Sequence, residues 1–437
     1  MGEPQLVRHA VRFEDARVDP DALRVVRKLA AAGFEAYIVG GAVRDMLLGR
    51  SAKDFDIATS ARPEDVKRVF RHNCRIIGRR FRLAHVFFAY GGRTYEVATF
   101  RRNPPPLLAG AREDEEDDLL IRSDNAFGVA HEDALRRDFT INALFYDHDR
   151  GTILDWTGGL GDVERKTIRT IGDPDVRFRE DPVRILRAIK FAARLGFELS
   201  DDVYKAIVGH RDELARAARP RVFEEVLRLL RGGAARRSVW LAWDTGALAV
   251  VLPELAAYLD DMEAGGEGRA LAALDAVDKI TAQRKAPPDD AVLLATLLRE
   301  PIREWTNGAK TRDEWRASLD EKLSEMGERL AITRRIGETL ARLYAGEARL
   351  RSGRVGGFLA SPLGPLALDL AKITAAADDA PAEHRAWLDA VELPRSSEEG
   401  SPRARVPSGE RTGDASTHHR GSHREPLHRA GVRVHRF

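Results

Sequence analysis

The stretch Tyr37-Ile-Val-Gly-Gly-Ala-Val-Arg-Asp45, followed by Lys53-Asp-Phe-Asp-Ile-Ala-Thr59, decides the reading of this 437-residue chain. Asp54 and Asp56 fall in a run with strand spacing from Asp54 to Ala58. Both carboxylates are therefore expected on one face, with Phe55 and Ile57 turned into the core. Such a pair of hard oxygen donors suits Mg²⁺. Upstream, Val39-Gly40-Gly41 reads as a strand entering a glycine turn, and Ala42 to Leu48 as the helix that follows. Glycines there let the backbone approach a phosphate, and the N–H groups at the helix start attract it. Arg44 lies in that first turn. Asp-x-Asp and Gly-Gly are each common alone, but together they supply the parts of phosphoryl or nucleotidyl transfer.

Gly40-Gly41-Ala-Val-Arg44-Asp45 followed by Asp54-Phe-Asp56 resembles the head signature of the polymerase β-type nucleotidyltransferases. The similarity is to the branch that holds bacterial poly(A) polymerases and tRNA CCA-adding enzymes. Cys74-Arg-Ile-Ile-Gly78-Arg-Arg-Phe-Arg82-Leu-Ala-His85-Val looks like the poly(A) polymerase side of that branch. Arg136-Arg137-Asp138-Phe-Thr-Ile-Asn142 and Arg179-Glu180-Asp181-Pro-Val-Arg184-Ile-Leu-Arg187-Ala-Ile-Lys190-Phe look like motifs shared by both. The resemblance is strong over residues 25–235 and thins beyond them.

Composition sets the outer bounds. Hydrophobic residues at 43% and charged residues at 32% are ordinary for a globular protein, and the length suggests two or three domains. The chain has no run of eighteen apolar residues and its N-terminus lacks the apolar core of a signal peptide, so no membrane association and a cytoplasmic location are expected. A single cysteine, Cys74, excludes an internal disulfide and any multi-cysteine zinc site. The net charge of +2 averages 71 basic and 69 acidic residues that are unevenly placed, so RNA binding has to be sought in local patches.

An α+β fold is expected. Residues 20–160 alternate short strand-like and helix-like runs, including a helical run from Asp133 to Leu144, and form an α/β head with a mixed sheet and helices. Arg101 to Ser123, with Pro104-Pro-Pro106 and an acidic run, reads as an exposed loop. Beyond Asp173-Pro174 helical spacing dominates, which gives a neck over residues 161–235 and an α-helical, RNA-binding body over 236–393. Residues 394–437 carry nine arginines and five histidines against five acids with few aliphatics, and are expected to be a disordered basic tail that helps to hold RNA.

Within this frame the site residues can be named. Glu96 alternates with Tyr95 and Val97 and supplies a third acid if its strand neighbours that of Asp54. Asp138 is read on a helix with Asn142 four residues on and Arg137 adjacent. The resemblance implies that Asp138 organises the site and that Gly40, Gly41, Arg44 and Arg137 bind the triphosphate. Asp181, Arg184, Arg187 and Lys190 recur every third residue as a polar stripe opposite Ile185, Leu186 and Ile189, with Pro182 in the first turn. A carboxylate and a guanidinium side by side can read the edge of a base. The resemblance assigns base choice to Asp181 and Arg184, with Arg187 and Lys190 behind them. Arg79, Arg80, Phe81 and Arg82 form a basic, aromatic-interleaved segment suited to an RNA backbone. His85 reads as structural.

The implied activity is template-independent addition of AMP from ATP to RNA 3′ ends by a monomer, with two Mg²⁺ held by Asp54 and Asp56. A tRNA CCA-adding enzyme is the alternative, since it shares nearly every motif. A non-catalytic RNA-binding protein on the same scaffold is a second, opposed by the intact Asp54, Asp56 and Asp138.

Overall fold

Two strands decide where the site lies. The computed structural model describes residues 5–78, 82–88, 93–102, 126–261, 266–353 and 356–391. Arg79, Arg80, Phe81, the tail and most of the Arg101–Ser123 segment lie outside them.

The head runs β1 (Val7–Ala10), α1 (Pro20–Ala31), β2 (Ala36–Val39), α2 (Gly41–Leu47), β3 (Asp56–Thr59), α3 (Pro63–Phe70), β4 (Cys74–Ile77), β5 (Leu83–Phe87), β6 (Thr94–Thr99), α4 (Ala130–Leu135), β7 (Phe145–Asp147) and β8 (Thr152–Asp155). These strands form one sheet in the order β1-β8-β7-β2-β3-β6-β5-β4. Only β3 and β6 run parallel, with Ile57 beside Val97, so the sheet is mixed. β2 and β3 are central and antiparallel, and Val39 faces Asp56 in register. The end of one strand thus delivers the glycine turn next to the start of the strand that carries the acid.

Helices take over beyond the sheet: α5 (Gly159–Arg165), α6 (Pro174–Glu180), α7 (Val183–Leu195), α8 (Asp201–His210), α9 (Arg219–Arg231), α10 (Ala235–Asp244), α11 (Ala247–Val251), α12 (Pro253–Asp260), α13 (Gly266–Arg284), α14 (Asp290–Trp305), α15 (Arg312–Gly327), α16 (Arg334–Arg351), α17 (Gly364–Ala377) and α18 (Ala382–Ala390). A two-stranded parallel pair, β9 (Thr167–Ile168) with β10 (Glu198–Leu199), is the exception. One apolar cluster runs from Phe13 through Ile185 and Leu298 to Leu388, so head, neck and body share a continuous core. Among the described residues no helix is long and apolar enough to cross a membrane.

Three local readings are corrected. The strand expected from Asp54 begins at Asp56, leaving Asp54 on the exposed approach to it, although Phe55 and Ile57 are buried as expected. The helical run expected over Asp133–Leu144 ends at Leu135, and Asp138 sits in a turn before a short 3-10 helix at Thr140–Asn142. Tertiary pairing overrides the helical spacing there: Thr140 donates its N–H to the Arg169 carbonyl, and Ile171 donates to that of Asp138. Pro182 occupies the cap before α7 instead of its first turn.

Candidate active site

Gly40 ends β2 in the left-handed region, at φ +71°, which glycine reaches without strain. A Cβ there would lie 3.1 Å from Nη1 of Arg137, and one on Gly41 3.4 Å from Nη2 of Arg44. The two glycines therefore let two guanidinium groups close on the backbone at the mouth of α2. Both arginines are held from behind. Arg44 is buried, donates from Nε and Nη2 to Oδ1 of Asp45 at 2.9 and 2.7 Å, and from Nη1 to Oδ1 of Asn142 at 2.6 Å. Arg137 donates from Nη2 to Oδ2 of Asp133 at 3.0 Å and from Nη1 to the Asn142 carbonyl at 3.1 Å.

Asn142 connects this cradle to the neck. Its Nδ2 donates to Oδ1 of Asp138 at 3.1 Å, and Oδ2 of Asp138 accepts from Arg187 on α7. Burial alone would push the Asp138 carboxyl up. The Arg187 guanidinium, with the Asn142 amide and the Phe139 N–H, outweighs burial and holds it well below the usual carboxylate range. Arg187 also lies 3.6 Å from the Glu225 carboxylate of α9, which accepts from Lys190 at 2.7 Å and Arg228 at 2.9 Å. Burial pushes the Lys190 amine down to about 8, the neighbouring Arg187 charge adds to this, and Glu225 opposes it.

Asp54 and Asp56 open onto the same cleft, of about 1210 Å³. Neither makes a hydrogen bond or ion pair among the described residues. Crowding by the cleft walls raises Asp56, with the charges of Glu96 and Asp54 adding and that of Arg137 opposing. Two adjacent hard-oxygen carboxylates lacking a cationic partner fit a divalent ion. Glu96 stands on β6 one step from Asp56 in the parallel register, with His85 at 3.7 Å across the strands, but it does not line the cleft. Among the described residues no three Asp, Glu, His or Cys side chains converge as a metal site, so Asp54 and Asp56 stand as a pair.

The cleft walls carry eleven basic against seven acidic side chains, a surplus that suits a polyphosphate. Residues 36–169 match the Poly A polymerase head domain, and residues 196–259 match a family described as the probable RNA and SrmB-binding site of polymerase A. Poly(A) polymerase I of Haemophilus influenzae is 38% identical over 322 residues, which are 72% of this chain and 71% of that one. The chain belongs to the poly(A) polymerase family. Poly(A) polymerase I of Escherichia coli is 37% identical over 339 residues, 75% of this chain and 71% of that one. The CCA-adding enzyme of Geobacillus kaustophilus is 42% identical over 236 residues, 54% of this chain and 55% of that one. Among solved structures, the Bacillus stearothermophilus CCA-adding enzyme in complex with CTP aligns with a TM-score of 0.63 at 29% identity, covering 85% of this chain and 82% of that one. The poly(A) polymerase family consists of nucleotidyltransferase enzymes, and the mixed-sheet head with its helical neck and body is its fold.

Against this family frame, Gly40, Gly41, Arg44, Asp54, Asp56, Arg137, Asp138, Asn142, Asp181, Arg184, Arg187 and Lys190 are all brought to one cleft. The stripe on α7 is not a solvated face, because Arg184 and Lys190 are buried. The side chains of Asp181 and Arg184 are not paired with each other, although the Arg184 N–H donates to the Asp181 carbonyl at 3.0 Å. Arg184 donates to Glu180 at 3.1 Å and to the Arg177 carbonyl at 3.2 Å, while Asp181 accepts from Arg221 at 2.8 Å. Oδ1 of Asp181 is buried with no partner. Arg82 is held by Glu64 at 2.5 Å and does not line the cleft. The sequence reading missed the whole α9 wall, with Arg221, Glu224, Glu225, Arg228 and Arg231, and also Arg194. The fragment Arg-Val-Phe-Glu-Glu-Val-Leu-Arg carries the signal that could have found it: two adjacent acids inside an apolar helix, one of which must be buried and paired.

Proposed function

We propose that this enzyme extends RNA 3′ ends with AMP from ATP, without a template, and releases pyrophosphate. The observation that carries the reading is the breadth of the match to Poly(A) polymerase I, 322 to 339 residues in the Haemophilus and Escherichia proteins, whereas the CCA-adding relatives match over 235 to 296 residues. Asp54 and Asp56 would hold two Mg²⁺, which when bound supply charge neutralisation for the triphosphate and acidify the attacking 3′-hydroxyl. Arg44 and Arg137, fixed by Asp45, Asn142 and Asp133, bind the triphosphate beside Gly40 and Gly41 without reorganising, so the charge that develops on phosphorus meets cations already in place. Glu96 tunes Asp56 from the neighbouring strand. Asp138 and Asn142 position the cradle through the bonds described above. The free Oδ1 of Asp181 is an acceptor for an exocyclic amine, and Arg184, steadied by Glu180, donates to a ring nitrogen. The cleft residues named above all come from one chain, in keeping with a monomer that works on RNA and ATP, and a cytoplasmic location belongs to the same proposal. Arg82, held by Glu64 away from the cleft, remains a candidate for holding the RNA, together with Arg79, Arg80 and Phe81 outside the described residues.

CCA addition is the second reading, favoured by the alignment with an enzyme solved with CTP. Purified protein supplied with ATP, CTP or both, on an unstructured RNA and on tRNA lacking its 3′ end, separates the two. Long A tails on the generic RNA are expected. Completion of CCA on tRNA with no tailing of generic RNA would overturn the proposal.

A further inference from the structure

A second open cavity, of about 810 Å³, lies in the helical body where the end of α14, the start of α15 and the end of α16 meet. It falls outside both family matches, which end at residue 259. Its walls carry seven arginines against Asp313 and Glu347. Four of those arginines are committed to carboxylates: Arg299 to Glu300 and Asp378, Arg303 to Glu300, Arg316 to Asp320, and Arg351 to Glu347. Arg312, Arg342 and Arg349 have no carboxylate partner among the described residues, and all three are exposed. Arg349 stands 5.7 Å over the ring of Phe358. Trp315 contributes a half-buried indole face to the same wall, and the Ser361 hydroxyl is buried with no hydrogen-bond partner. Uncompensated guanidinium groups next to aromatic faces and a spare hydroxyl match a phosphate with its attached base.

We propose that this cavity binds the RNA strand upstream of the 3′ end held in the cleft, by its phosphates and one stacked base. The proposal rests on the reading of the cleft as the site of RNA extension. α14 links the two places. Its first residue, Asp290, accepts two bonds of 2.6 Å from Arg231 of the cleft, and its last turn lines the cavity. Sixteen helical residues span roughly 24 Å, a distance that a short run of extended nucleotides covers. A free nucleotide shares this chemistry. The openness of the cavity and the exposure of Arg312 and Arg342 favour a strand that passes through.

The test uses the full chain, wild type and the double variant Arg312→Ala/Arg342→Ala, with one RNA long enough to reach both places and one that only fills the cleft. Affinity for the long RNA is expected to fall roughly tenfold and its salt slope by about 1.4, since each single-strand phosphate contact contributes about 0.7. Affinity for the short RNA is expected to stay unchanged, and Arg312→Lys/Arg342→Lys is expected to restore the slope. Equal affinity and slope for the long RNA in wild type and the alanine variant would overturn the proposal. Loss of a second ATP-binding event with long-RNA affinity intact would also overturn it, by assigning the cavity to free nucleotide. If wild-type protein extends no RNA, the reading of the cleft fails on its own, while the binding comparison still decides this cavity.

Discussion

Arg187 on α7 donates from Nε to Oδ2 of Asp138 at 2.8 Å, and this bond fastens the neck to the turn that carries the active-site network of the head. Asp138 accepts from Asn142 on its other oxygen, and Asn142 in turn accepts from Arg44. A movement of α7 therefore reaches the triphosphate cradle through three side chains. The helix proposed to read the base and the turn proposed to hold the phosphates are thus joined by one chain of hydrogen bonds.

Arg187→Ala should lower the unfolding free energy by about 3–5 kcal/mol, because it strands a buried carboxylate. Asp138→Asn should cost less, since Arg187 is partly exposed and keeps Glu225 nearby. The folded Asp138 carboxyl lies below its unfolded value, so the pair stabilises fully above about pH 4 and loses that stabilisation as acid protonates Asp138. Denaturant titration of both single variants and the double variant checks this. Costs that simply add would show that the bond contributes nothing beyond its separate partners.

Asp54→Ala or Asp56→Ala should abolish nucleotide addition while RNA affinity survives, because these carboxylates serve the chemistry more than they serve the strand. Glu96→Gln should be severe but leave measurable activity, since Glu96 acts from the next strand and does not line the cleft. Primer extension and RNA binding are measured side by side. Mg²⁺-dependent extension near the wild-type rate in either aspartate variant would refute the paired-acid platform.

The half of the cleft built from β2, the glycine turn and α7 was legible in the sequence, because short-range spacing places Gly40, Arg44, Asp56 and the Asp181–Lys190 stripe on their elements and the family resemblance assigns them to one site. The other half was not. On α9, Arg221, Glu224, Arg228 and Arg231 follow the spacing of a solvated helix face, the adjacent Glu225 is the one local hint, and the packing of α9 against α7 turns them into a wall. Asp138 shows the converse. Periodicity suggested a helix and pairing with residues 169–171 imposed a turn, yet Asn142 still reaches Asp138 because the short 3-10 helix brings it round. Asp181 and Arg184 were expected at the site and both line the cleft; Glu180, which steadies Arg184, stands four residues before it, whereas Arg221, which holds Asp181, lies on another element and carries no local signature.

Arg184→Ala should relax base choice as well as slow addition. Loss of a bidentate contact costs about 1–3 kcal/mol of discrimination, roughly ten- to a hundredfold in the ATP:CTP ratio of kcat/KM. Glu180→Gln should act in the same direction and less strongly, because it loosens Arg184 without removing it. A slower Arg184→Ala enzyme with an unchanged ratio would mean that the guanidinium does not read the base.

Lys190 gives a pH signature. Its folded value of about 8 lies below the ordinary lysine value, so between about pH 8 and the unfolded value the unfolded chain holds the extra proton. Linkage then makes stability rise with pH across that window, by about 1.4 kcal/mol per unit, and the cost of burying the charged amine is fully present below it. Lys190→Met lacks this slope, while Arg187 and Arg228 still face Glu225. Urea unfolding at about pH 7.5 and about pH 9.5 should therefore show the wild type gaining on the variant by on the order of 2 kcal/mol. Lys190→Arg, which stays charged throughout, should not gain at all. A wild-type curve that runs parallel to both variants would mean that water reaches the amine and that Glu225 is neutralised by its arginines alone.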